Sequence, residues 1–120
     1  MLDTSPLTVA VERFAERLRA MPQSRLQQVA AAEALELARE LSVRAQRLEG
    51  HGQAEGVAPV RVMPDAGVFV VGDQVAVAGL DLAEALRAAG DRPRETAKAP
   101  SEMLDEAVLL VEQAEVRAMR

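Results

Sequence analysis

Apolar residues recur along the first part of the chain at alternating steps of four and three. Leu7, Val11, Phe14, Leu18 and Met21 place one narrow seam along a helix. Ser5 is positioned to cap that helix, and Pro6 fits its first turn, where no backbone N–H is needed. Pro22 disfavours helical geometry at Met21, and Ser24 with Gln27 has capping-box spacing, so a second helix is expected to begin near Ser24. It meets neither Gly nor Pro until Gly50, and residues 24–49 would extend about 39 Å as a helix. The short connection predicts an antiparallel hairpin in which the seam of the first helix faces the second.

The second helix is apolar on more than one side. Leu26, Ala30, Ala34, Leu37, Leu41, Ala45 and Leu48 form its main stripe, while Val29, Leu35 and Val43 lie well away from it on a helical wheel. This predicts additional cover, from the C-terminal half or from a second copy of the chain.

After a glycine-rich connector, GHGQAEG at 50–56, the texture changes. Val60–Met63, Val68–Val71 and Val75–Ala78 are short, valine-rich runs separated by turn signals, Pro64-Asp65-Ala66-Gly67 and Gly72-Asp73, and read as strands. Asp81 with Glu84 then reads as the capping box of a short helix closed by Gly90. Residues 91–100 read as a polar linker, and Ser101 as the cap of a last helix. Its apolar stripe is Leu104, Ala107, Val108, Val111, Ala114 and Ala118, with Leu109 and Leu110 outside it. The expected fold is α+β, mainly α, in a single domain of 1–120. It comprises a long antiparallel helical hairpin (1–49), a three-stranded antiparallel β-meander plus short helix (57–90), the linker, and a C-terminal helix (101–120).

Composition narrows the chemistry. Phe14 and Phe69 are the only aromatic residues, so Leu, Val, Ala and Met must fill the core. A net charge of -5 disfavours nucleic acid, whose binding rests on clustered Lys and Arg. The absence of cysteine removes thiolate chemistry and disulfides and is compatible with a cytoplasmic setting; no run approaches the roughly 20 apolar residues of a membrane span.

The chemically useful residues each have a simpler reading. His51, the only histidine, sits between glycines in the connector, and Lys98, the only lysine, sits in the linker. Ser5, Ser24 and Ser101 read as caps, and Ser42 has no histidine near it in sequence. Glu33, Glu36 and Glu40 share a helix face, but Glu36 with Arg39 and Glu40 with Arg44 have ion-pair spacing. Gly67, Gly72 and Gly79 fit no phosphate-binding pattern. No catalytic residue, cofactor or metal site is assigned.

The expected function is therefore non-enzymatic: an interaction or regulatory protein acting through helical surfaces as a homodimer, with Val29, Leu35, Val43, Leu109 and Leu110 as the candidate interface. The alternative is a small-molecule sensor whose apolar pocket, between meander and hairpin, is lined by Val68, Phe69, Val71, Val75 and Val77. An enzyme using paired carboxylates ranks third.

Overall fold

The computed structural model describes residues 2–50, 60–91 and 98–120. These form four helices and no strand. Helix α1 is Ser5–Ala20. Helix α2 (23–50) starts at Gln23–Arg25, passes through a π-helical turn at Leu26–Ala30, and continues over Ala31–Gly50. Helix α3 is Val71–Gly90 and α4 is Pro100–Ala118.

The expected β-meander is not formed. Residues 60–67 are extended but unpaired, 68–70 make a turn, and everything from Val71 to Gly90 is one helix. The reason lies in the burial pattern. Val71, Val75, Ala78, Leu82 and Leu86 are buried at helical spacing, and this tertiary gain outweighs the weak strand preference of valine. Asp81, read as a cap, is exposed in mid-helix, and Gly72-Asp73 lies in the first helical turn instead of a hairpin. The turn at 65–67 does form: Gly67 has φ 99° and donates its N–H to Asp65 Oδ1 at 3.0 Å.

Caps also differ from the sequence reading. Thr4 occupies the α1 N-cap, and Ser5 donates both its N–H and its hydroxyl to Asp3 Oδ1. The Ser5 hydroxyl, followed by its N–H, holds the Asp3 carboxyl below its ordinary range. Ser24 and Ser101 lie inside their helices, which begin at Gln23 and Pro100.

Contacts between helices fix their directions. Arg19 at the end of α1 meets Asp73 at the start of α3, and Arg87 near the end of α3 donates to Thr4 Oγ1, so these two are antiparallel. Arg44–Glu106 and Arg117–Glu33 show α2 and α4 antiparallel as well. The chain returns along α2 as an extended strap, 60–67, which lets α3 begin beside Ala31 and run parallel to α2. It follows that α1 and α2 are antiparallel, as their short link predicts. The seam of α1, however, packs chiefly on α3 and α4, and these two also cover α2.

The core combines Phe14, Leu7 and Leu18 of α1, Leu41 of α2, Val75, Leu82 and Leu86 of α3, and Val111 of α4. Burying each such side chain contributes on the order of 2 kcal/mol. Small residues set the spacing. A Cβ at Gly79 would sit 2.5 Å from Val11 Cγ1, so the backbones of α1 and α3 approach as closely as they do only because Gly79 has no side chain. The molecule is flat, with extents of 47 × 29 × 17 Å.

Candidate functional site

The strap is held by side chains of α2, not by another strand. Gln46 accepts the Arg61 N–H and donates to the Arg61 carbonyl, each at 2.8 Å, and Arg39 donates to the Met63 carbonyl at 2.8 Å. One amide thus grips both backbone groups of one residue, a bridge normally made by a neighbouring strand. At the far end Gln74 of α3 donates to the Pro64 carbonyl. Gln46→Ala is expected to lower stability by about 1 kcal/mol and to speed hydrogen exchange at the Arg61 amide. Unchanged exchange at that amide would show that Gln46 does not hold the strap.

The strap covers one flank of α2 and leaves a groove of about 510 Å³ beside it, lined by the apolar side chains of Ala31, Leu35, Val68 and Val71 together with the charged Glu36, Arg39 and Asp65. Phe69 stands next to this groove and is 75% exposed, which is unusual for one of only two aromatic residues in the chain. Val60 and Val62 of the strap are exposed as well.

The candidate interface residues separate into two groups. Leu35 is partly buried and lines the strap groove, and Leu110 is partly buried against the core. Val29, in the π-helical turn, and Leu109, on the outer face of α4, are half-exposed, while Val43 is half-buried. Of the five valine and phenylalanine positions expected to line a metabolite pocket, Val68 and Val71 line the groove beside α2, Val75 is fully buried in the core, and Phe69 and Val77 are exposed.

Glu33 and Glu40 of α2 are engaged with different arginines. Glu33 pairs with Arg117 at 2.9 Å and Glu40 with Arg44 at 2.8 Å, while Glu36 is exposed and Arg39 is committed to the strap. Among the described residues no three His, Cys, Asp or Glu side chains come together as a metal site, and no helix is long and apolar enough to cross a membrane. His51 lies outside the described residues, as does most of the 91–100 linker.

Sequence reasoning missed the one buried charge among the described residues. Glu115 of α4 is 6% exposed and lies between Arg13, at 3.1 Å, and Arg17, at 3.2 Å, on α1. The signal was present: Glu115 sits in register with Ala107 and Val111 in the middle of the α4 stripe, and Arg13 and Arg17 are one turn apart. On the other flank of α4, Lys98 and then Arg44 hold the Glu106 carboxyl below its ordinary range through hydrogen bonds. These contacts fix α4 to its own chain. Comparison with protein-family models, with curated proteins and with solved structures found no match.

Proposed function

We propose that this chain is a non-enzymatic interaction protein that works through its outer helical surfaces and self-associates as a homodimer across the side formed by α2 and the strap. The supporting observation is the pairing of an aromatic knob with an apolar groove: Phe69 is exposed beside the space walled by Leu35, Val68 and Val71. In a twofold arrangement each Phe69 enters the groove of the other copy, so that one patch serves both subunits. Val29, Val43, Val60 and Val62 then rim the contact. An aromatic side chain seated in a desolvated pocket is the usual energetic centre of such an interface.

The homodimer places Phe69 at the centre and leaves Leu109, on the outer face of α4, outside the contact. In sedimentation equilibrium, Phe69→Ala is expected to raise the dimer dissociation constant about thirtyfold, equivalent to roughly 2 kcal/mol. Leu109→Ala is expected to leave the constant unchanged. Equal constants for wild type and Phe69→Ala would reject the knob and groove.

A further inference from the structure

We infer that the opposite side of the molecule, the groove between α1 and α3, docks a basic amphipathic helix of a partner protein. This rests on the reading of the chain as an interaction protein but shares no residue with the homodimer surface.

The groove exists because α1 and α3 approach closely at Gly72 and Gly79, so that their outer edges diverge above a shallow channel of about 310 Å³. Its floor is Val11, Ala76 and Leu80. Leu80 in the channel and Val77, one turn back on α3 beside it, are 49% and 52% exposed, and exposed apolar pairs of this kind are what an amphipathic helix covers with residues at i, i+3, i+4 and i+7.

The rim is acidic. Glu12 and Glu16 border the channel from α1, and Asp73 and Glu84 flank Val77 and Leu80 on the same face of α3. The one cation lining the channel, Arg19, is already committed: it pairs with Glu16 and with Asp73, each at 2.7 Å. Its hydrogen bond to Asp73, and then the one to Glu16, stabilise its charged form. Glu12 and Glu84 have no ion pair among the described residues.

An apolar floor between unpaired carboxylates defines the chemistry of the occupant. It must bring an apolar strip to Leu80 and Val77 and place Lys or Arg on both sides of that strip, to meet Glu12 and Glu84. A basic amphipathic helix does this in one element. A phosphate-bearing surface is repelled by the rim, and a second copy of this chain, itself at -5, brings more carboxylate to it.

The probe is a synthetic 18-residue helix with Leu at i, i+3, i+4 and i+7, Lys elsewhere, and one Trp on the apolar face. Because the chain contains neither Trp nor Tyr, Trp emission reports the peptide alone. Titration with the full chain is expected to give a saturable blue shift. Leu80→Lys is expected to weaken binding at least tenfold while its melting curve stays that of wild type, since Leu80 is half outside the core. The Glu12→Gln, Glu84→Gln double variant is expected to bind more weakly and with less dependence on salt. Absence of a saturable shift, equal affinity for Leu80→Lys, or equal binding by a leucine-free lysine peptide would each overturn the proposal. A monomeric mass in solution would reject the homodimer and leave this titration unaffected, so the two readings fail separately.

Discussion

Replacing Arg13 and Arg17 together by alanine is expected to lower the stability of the chain by about 3 kcal/mol in urea unfolding at neutral pH. The two arginines are half-exposed and would contribute little as ordinary surface charges, about 1 kcal/mol or less per pair. Their importance comes from Glu115, which the packing of α4 on α1 removes from water and which, among the described residues, they alone pair with. Removing them strands a buried carboxylate; their own exposure keeps the loss at the low end of the range for such cases. Glu115→Leu is the matching control. It removes the buried charge itself and leaves two arginines that water can reach, so its effect should stay within about 1 kcal/mol of wild type. A double arginine variant no less stable than wild type would mean that Glu115 is hydrated and that α4 does not sit as described.

Gly79→Ala should also be costly, by about 2 kcal/mol, although alanine is the better helix former by roughly 1 kcal/mol. The added methyl would lie 2.5 and 2.6 Å from the two Cγ atoms of Val11, which is itself 2% exposed and has no space to move into. The substitution therefore pushes α1 away from α3 or forces Val11 off its rotamer. Val11→Ala in the same chain opens room for the new methyl. The double variant should consequently be more stable than the sum of the two single losses implies, by about 1 kcal/mol or more. Simple additivity would show that the two positions are not in contact.

How far the fold could be read from the sequence depended on whether local signals agreed with the burial pattern. In α1 they agreed: the spacing of Leu7, Val11, Phe14 and Leu18, and Pro6 near the start, specify a helix, and its core face is as expected. In α3 they conflicted. Gly72, Gly79 and Asp81 look like turn and cap residues, and Val71, Val75 and Val77 look like strand residues. Yet the glycines serve as contact points for α1, and the apolar positions from Val71 to Leu86 keep helical period throughout. Counting the longer period across the whole segment, instead of reading four-residue runs, would have found the helix. The strap was legible only as valine-rich extended chain; its partner is a glutamine side chain, and nothing in the spacing of Gln46 and Arg61 announces that.

Of the candidate surface, Val29 and Val43 were visible as misfits on the α2 stripe, as were Leu35, which the structure leaves lining the strap groove, and Leu110 on α4, which is partly buried against the core. Phe69 was read as part of a strand wall, and its exposure follows from the turn at 68–70 that replaces that strand. The case for a second copy has moved accordingly. It rests less on the apolar positions away from the α2 stripe, since α3 and α4 also pack on α2, than on an aromatic side chain left exposed next to a groove.

The measurement that bears most directly on this account is molar mass by light scattering after size-exclusion chromatography, with refractive-index detection because the chain has no Tyr or Trp. The homodimer predicts a mass of about 26 kDa, twice the 12.9 kDa chain, falling towards the single-chain value in Phe69→Ala. A wild-type mass of one chain at every concentration tested would contradict it.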